Sequence, residues 1–327
     1  MKIISNEIIE TSRLYSDNPT DYPFCRIPAL VATENGLIYM CYECRQASDW
    51  SVIDIALRRS DNGGKTWSGR RIIADGKGRN ACNNPTLLAD GNKLILIYCE
   101  NYKRVFMTVS NDCGNTWSVR TELTDTFDAY YWSCVAIGPG HGVVTQDGDY
   151  IIPFWIALNQ QDMFSHHPSK AGILISKNRG LSWEISTVFD DSLCNPSEIS
   201  VAVLSNGNLL ANIRNENDEK CRAFSVMNRK TGVWSDCSLR YDLPDPTCFS
   251  GLCSGGKKLF LVNCHHESER KNLSVCVSLD DGRNWIPDLL DASGGYADIC
   301  YNQKTDTVFV LYETKQCRYL KIAELKF

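Results

Sequence analysis

The stretch Ser60-Asp61-Asn62-Gly63-Gly64-Lys65-Thr66-Trp67 has three near copies further along the chain: Ser110 to Trp117 (SNDCGNTW), Ser176 to Trp183 (SKNRGLSW) and Ser278 to Trp285 (SLDDGRNW). All fit Ser-x-Asp/Asn-x-Gly-x-x-Trp. Each closes one alternating apolar run and opens another: Ile53, Ile55 and Leu57 share a face before the first copy, Val275 and Val277 before the last. That alternation is the period of a strand with one buried face. The unit therefore reads as a hairpin turn, in which Asp or Asn hydrogen-bonds backbone amides, Gly supplies a positive φ and Trp packs the hairpin down. Ser60 to Ser110 spans 50 residues, Ser110 to Ser176 spans 66, and Ser176 to Ser278 spans 102, two periods with a copy missing. A degenerate copy from Ser225 to Trp234 (SVMNRKTGVW), with Asn228 and Gly232, fills the gap. Five hairpins at this spacing, with a sixth unit closed by the two termini, predict an all-β, six-bladed β-propeller of four-stranded blades.

The 327 residues are 43% hydrophobic and 22% charged, enough apolar matter for a large core. No Pro/Gly/Ser linker or charge run divides them, so residues 1–327 are expected to form a single domain. A net charge of −5 provides no basic face for nucleic acid and no polybasic segment for an anionic membrane. An anionic ligand must then be held by a local cluster. The N-terminal Met-Lys-Ile-Ile-Ser-Asn-Glu carries an acid too early for a secretory signal, and no apolar run approaches the roughly 18 residues that span a bilayer, so a cytoplasmic location is expected. The sixteen cysteines are scattered, several within apolar strands (Cys41, Cys99, Cys134, Cys276), and read as reduced, structural residues. Cys41-x-x-Cys44 has no second pair and Cys264-His265-His266 is contiguous, so neither has zinc-ligand spacing.

The repeats resemble the Asp boxes of the exo-α-sialidase (neuraminidase) family, both bacterial and cytosolic animal members, and cover residues 60 to 285. Asp boxes also occur in propellers with other roles, so the chemistry must be read from other residues. A sialic acid bears a carboxylate on its anomeric carbon, which calls for guanidinium forks. Phe24-Cys25-Arg26-Ile27-Pro28 resembles the family's Phe/Tyr-Arg-Ile-Pro motif with Cys25 inserted, and the strand ending Ala211-Asn212-Ile213-Arg214 resembles the segment that delivers the middle arginine. Arg270, before Asn272-Leu273-Ser274-Val275 and the last repeat, stands where the family has its third. A carboxylate nucleophile would be repelled by the substrate's own carboxylate, whereas a phenol with a base beside it would not. Gly294-Gly295-Tyr296-Ala297-Asp298 resembles the family's nucleophile segment, and Glu198 in Asn195-Pro196-Ser197-Glu198 its base. Val310-Leu311-Tyr312-Glu313 resembles the closing strand, whose glutamate orients the first arginine; Glu313 is thus expected to pair with Arg26.

The family's general acid lies between two strands of the first blade. Asp49 matches that place, at the same spacing from Leu57-Arg58-Arg59 as in the animal cytosolic enzymes, and Asp54, inside the alternating strand, is its rival. Arg45 is expected in the same pocket, and Trp155 as a wall for the N-acyl or glycerol arm. Trp132 and Gly138-Pro139-Gly140-His141-Gly142 also resemble cytosolic sialidases; the glycine run is no phosphate loop, because no Lys-Ser/Thr follows. The resemblance implies hydrolysis of a terminal sialic acid from a sialylated glycan with retention, through a tyrosyl intermediate and without metal or cofactor. Two other readings stay open: a propeller hydrolase for a related ulosonic acid such as deaminated sialic acid, and a non-catalytic glycan-binding propeller.

Overall fold

The computed structural model describes residues 1–12, 22–162, 164–189 and 192–327. Six antiparallel sheets follow one another around an axis. The strands nearest the axis are Phe24–Ala32, Cys82–Asp90, Cys134–Ile137, Ile199–Val203, Gly251–Gly255 and Ala297–Asn302; neighbouring ones touch from blade to blade, except that Ile199–Val203 meets the third blade through Val143–Val144 and Tyr150–Ala157. Their side chains are almost all buried on both faces, which explains the near-continuous apolar runs of the inner strands. In the sixth blade Ala297–Asn302 is followed by Thr307–Thr314 and Tyr319–Lys326, and the outermost strand is Lys2–Thr11, so the two ends of the chain close the ring. Three sheets carry a short fifth strand. One of these, Gly140–His141, crosses from the third blade to pair in parallel with Cys82–Asp90 and fills the axis. There the His141 ring nitrogen Nδ1 lies 2.8 Å from Asp298 Oδ1, and Leu30 N donates to Asp298 Oδ2 at 2.7 Å.

The four repeats form one turn, built the same way each time. The serine hydroxyl donates to the Asp or Asn two residues on, at 3.0 Å (Ser60–Asn62), 2.8 Å (Ser110–Asp112), 3.0 Å (Ser176–Asn178) and 2.9 Å (Ser278–Asp280). It also accepts the glycine N–H, at 2.8 Å from Gly64, Gly114 and Gly282 and 2.7 Å from Gly180. The Asp or Asn then accepts the backbone N–H four residues further on, so its side chain closes the loop. The glycine has two reasons to be glycine. At Gly64 φ is +88°, and a Cβ would lie 2.3 Å from Phe309 of the sixth blade; at Gly180 φ is +86° and a Cβ would lie 2.9 Å from Ile95 of the second. Each turn thus presses its backbone onto the second strand of the preceding blade.

The fifth copy departs from the expected register. Ser225 Oγ donates to Ser235 O at 2.7 Å, the bond that Thr108 Oγ1 makes to Ser118 O at 2.8 Å, so Ser225 corresponds to Thr108 and Met227 takes the place of Ser110. With no hydroxyl there, Asn228 Oδ1 accepts Lys230 N at 3.0 Å and the turn closes differently. Trp234 still packs the hairpin, edge-on against Phe189 at 4.8 Å.

Ser110 is buried, and Ser110→Ala leaves the buried Gly114 N–H without its acceptor. Urea unfolding is expected to show a loss of about 1–3 kcal/mol with the far-UV spectrum unchanged.

Candidate active site

The inner strands begin at one face of the ring, and the expected site residues gather there. In the first blade, Phe24–Ala32 pairs with Ile38–Arg45 in register up to Arg26 opposite Glu43, after which the ladder slips before Ala29. The slip holds Ile27 at φ +57°, a left-handed conformation that is costly for a β-branched residue. It turns Arg26 out of the sheet and toward the mouth of the ring. Glu313 offsets the strain: its Oε1 accepts Ile27 N at 2.9 Å while its two oxygens accept Arg26 Nε and Nη2, each at 3.1 Å. Glu313 Oε2 also accepts Tyr296 N at 3.2 Å. Burial alone would raise the Glu313 carboxyl, but Arg26 and the Ile27 amide outweigh it and hold the pKa below the usual glutamate range.

Tyr296 precedes the innermost strand of the sixth blade, and Glu198 that of the fourth. The Tyr296 phenol donates to Glu198 Oε1 at 2.6 Å, and Arg214 Nη1 donates to both the phenolic oxygen, at 2.7 Å, and Glu198 Oε2, at 2.5 Å. Arg26 and Arg270 flank the ring, 5.5 and 5.2 Å from its centroid. Burial raises the phenol's pKa, with Glu198 adding to it and Arg214 and Arg270 opposing. The buried phenol is therefore protonated and needs its carboxylate neighbour to lose that proton. Arg26 and Arg214 each have a carboxylate partner. Arg270 has none among the described residues, and so supplies the uncompensated positive charge an incoming anion requires.

Asp49 faces this group from the loop after Ile38–Arg45. Arg45, itself buried, is ion-paired to both Glu43 and Asp49. Burial raises the Asp49 carboxyl, but Arg45 prevails and lowers it. Asp54 is used otherwise: its oxygens accept Gly76 N at 2.7 Å and the Tyr22 hydroxyl at 2.5 Å, which fastens the outer loop of the blade. Asp49 is thus the carboxylate of this loop that reaches the pocket. The cleft, about 220 Å³, brings together Arg26, Arg45, Asp49, Glu198, Arg214, Arg270 and Tyr296, with Trp155 on its wall. Glu313 lies behind Arg26. Trp132 is half-buried against the core of the second and third blades.

Several lining residues were not read from the sequence. Asn84 repeats the Ile27 device: at φ +54°, beside a slip in the ladder, it donates its N–H to Glu43 Oε1 at 2.6 Å. The echo of Arg26-Ile27-Pro28 in Asn83-Asn84-Pro85 could have revealed it. Tyr102 and His166 come from connections between strands and Ser169 from the first position of the strand Ser169–Ser176, where no motif announces them.

Residues 36–319 match the BNR repeat-like domain family. The chain belongs to that family. Among BNR-type relatives it is 27% identical to a sialidase of Bacteroides fragilis, over 88% of this chain and 60% of that protein, and 26% identical to a sialidase of Paraclostridium sordellii, over 87% and 76%. Its fold is that of the Hadza microbial sialidase Hz136 (TM-score 0.82, 24% identity, 94% of this chain and 66% of that one). A Trypanosoma rangeli sialidase described as a covalent intermediate with 2,3-difluorosialic acid has a TM-score of 0.75 at 17% identity, covering 98% of this chain and 58% of that one. The chain therefore spans about two thirds or less of the length of several of these BNR-type proteins.

The lowered Glu313 pKa has a consequence for stability. Its unfolded value is about 4.3, so the stabilisation it gives this BNR fold is fully present above that pH and is lost as the pH falls through the lower folded value. Glu313→Gln should be about 3–5 kcal/mol less stable at pH 7 and should show a flatter loss of stability below about pH 5, measured by urea unfolding across pH.

Proposed function

We propose that the protein is an exo-α-sialidase that releases a terminal sialic acid from a glycan with retention of configuration. The observation that carries this reading is the phenol of Tyr296, hydrogen-bonded to Glu198 and Arg214 and bracketed by Arg26 and Arg270. Arg26, Arg214 and Arg270 clamp the carboxylate on the anomeric carbon. Glu198 takes the phenolic proton, the oxygen of Tyr296 attacks that carbon, and the bond to the aglycone oxygen breaks as Asp49 protonates it. Asp49 then takes a proton from water, the water oxygen displaces Tyr296, and Glu198 returns the phenolic proton. Arg214, donating to the phenolic oxygen from the outset, stabilises the charge that develops there. In the free protein Asp49 is paired with Arg45; a sugar covering its exposed edge removes water from it and favours the protonated form.

The likeness to curated sialidases supports this reading, as does the covalent intermediate in the Trypanosoma rangeli relative's description. A purely glycan-binding role leaves the Tyr296–Glu198 bond and the facing Asp49 without purpose. The sixteen scattered cysteines, most of them buried in strands, suit a reducing compartment such as the cytoplasm.

Wild type is expected to hydrolyse an aryl α-glycoside of N-acetylneuraminic acid, Tyr296→Phe to lose that turnover, and 2,3-difluorosialic acid to add its mass to the peptide containing Tyr296. Asp49→Asn should slow a sugar leaving group by about 10²–10⁴-fold and an activated aryl leaving group far less. Folded wild type without turnover, or a Tyr296→Phe variant as active as wild type, overturns the proposal.

A further inference from the structure

Besides Arg26 and Arg270, the Tyr296 ring meets Phe249, which is fully buried, with ring centroids 5.8 Å apart and planes inclined by 44°. The Phe249 ring also meets the axial strand. A Cβ on Gly140, whose φ is +95°, would lie 2.7 Å from Phe249 Cζ, so the middle glycine of Gly138-Pro139-Gly140-His141-Gly142 makes room for that ring. Phe249 is thereby lodged between the backbone at the axis and Tyr296.

Residues 245–249 lead into Gly251–Gly255 without belonging to a strand, and side chains of the fourth blade fix the backbone on both sides of Phe249. Cys248 O accepts Arg222 Nη1 at 2.8 Å. Ser250 O accepts Ser200 Oγ at 2.8 Å and Asn212 Nδ2 at 3.0 Å. Asn212 Oδ1 in turn accepts Arg222 Nε at 2.7 Å, while Asp245 lies 3.4 Å from Arg222 Nη1 and accepts Cys248 N at 3.0 Å. Ser200, Asn212 and Arg222 are all buried, and a buried guanidinium is costly unless fixed acceptors surround it. These three residues sit directly behind the reacting groups. Ser200 and Asn212 are register partners; Ser200 follows Glu198 by two residues and Asn212 precedes Arg214 by two. The pairing runs on to those two, Arg214 N donating to Glu198 O at 3.1 Å. Side chains two apart on a strand share a face. The strand pair that offers Glu198 and Arg214 to the phenol therefore offers Ser200 and Asn212, one step deeper, to the backbone of Phe249.

We propose that Phe249 is a positioning residue for the Tyr296 nucleophile and that the buried Ser200–Asn212–Arg222 network holds it in place; this rests on the sialidase reading above. Phe249 closes off the tilt otherwise open to the Tyr296 ring. The phenolic oxygen then stays 2.6 Å from Glu198 and 2.7 Å from Arg214, the position from which it attacks. Base, arginine and the packing surface of the phenol ring share one rigid support, so they keep their mutual geometry when a ligand enters. Binding of the substrate carboxylate runs through the three arginines, and the contribution of Phe249 is to the chemical step.

The test measures kcat on an aryl α-glycoside of N-acetylneuraminic acid, and calorimetric affinity for its 2,3-dehydro derivative, in Phe249→Ala, Phe249→Leu and Arg222→Lys, with folding checked by far-UV circular dichroism. Phe249→Ala frees the ring to tilt and should lower kcat by about 10²-fold, the scale of a misplaced reacting group, with the affinity within about twofold of wild type. Phe249→Leu refills most of the space and should regain about tenfold of that loss; Arg222→Lys keeps the charge, loses the fork and should fall between wild type and Phe249→Ala. Wild-type kcat in Phe249→Ala, a loss matched by an equal loss of affinity, or a leucine variant no better than the alanine one overturns the inference. If Phe249→Ala does not fold, Phe249→Leu decides, with kcat about tenfold below wild type at unchanged affinity expected and wild-type kcat counting against it. If folded wild type does not cleave the glycoside, the sialidase reading has failed instead. Crystal structures then decide the positioning separately: the Tyr296–Glu198 contact should lengthen in the Phe249 variants, and an unmoved phenol overturns it.

Discussion

One buried carboxylate holds this site in shape. Glu313 accepts the fork of Arg26, the backbone N–H of Ile27 and the backbone N–H of Tyr296, so it binds the start of the first blade to the start of the sixth. Gly295 makes room for it, since a Cβ there would lie 2.8 Å from Glu313 Cβ. Without that acceptor the left-handed Ile27 would have no compensation, and Arg26 would be a half-buried cation with a choice of rotamers. With it, guanidinium and phenol are oriented before any ligand arrives, which is how a protein contributes electrostatic stabilisation without reorganising during the reaction.

The same solution appears one blade further on, where Glu43 accepts Asn84 N and pairs with Arg45, which in turn holds Asp49. Two successive blades thus use a carboxylate on the second strand to fix a left-handed residue on the next inner strand. In each case the fixed residue precedes a proline, Ile27-Pro28 and Asn84-Pro85, where a left-handed residue can end one ladder register and begin another. The first blade projects a cation from this kink and the second an amide, so a repeated backbone device lines a site of mixed chemistry.

The turns were legible because every demand they make is local. Serine, Asp or Asn and glycine each satisfy a partner within four residues, so their spacing survives in the sequence, and where Met227 replaces the serine the register was misread by two positions. Arg26, Glu198, Arg214, Arg270, Tyr296 and Glu313 were legible through short motifs at strand starts and ends. Asp49 was preferred to Asp54 because the latter falls inside the alternating strand, and there Tyr22 and Gly76 occupy it. Glu43 and His166 were not read, because the Asn84 amide that defines the role of Glu43 lies on another blade and His166 lies on a connection, whereas Asn84 went unread although Asn84-Pro85 echoes Ile27-Pro28.

The seating of each turn glycine on the blade before it gives the ring a direction. Gly64 rests on Phe309, Gly114 against Tyr39, Gly180 on Ile95 and Gly282 on Leu210, so the receiving surface is aromatic at some seams and aliphatic at others. Although the four blades that carry this turn share one pattern, they are non-interchangeable parts, each cut to its predecessor's profile. A duplicated or transplanted blade would meet the wrong surface at both of its seams, and the number of blades is thereby locked by steric fit as much as by closure of the circle.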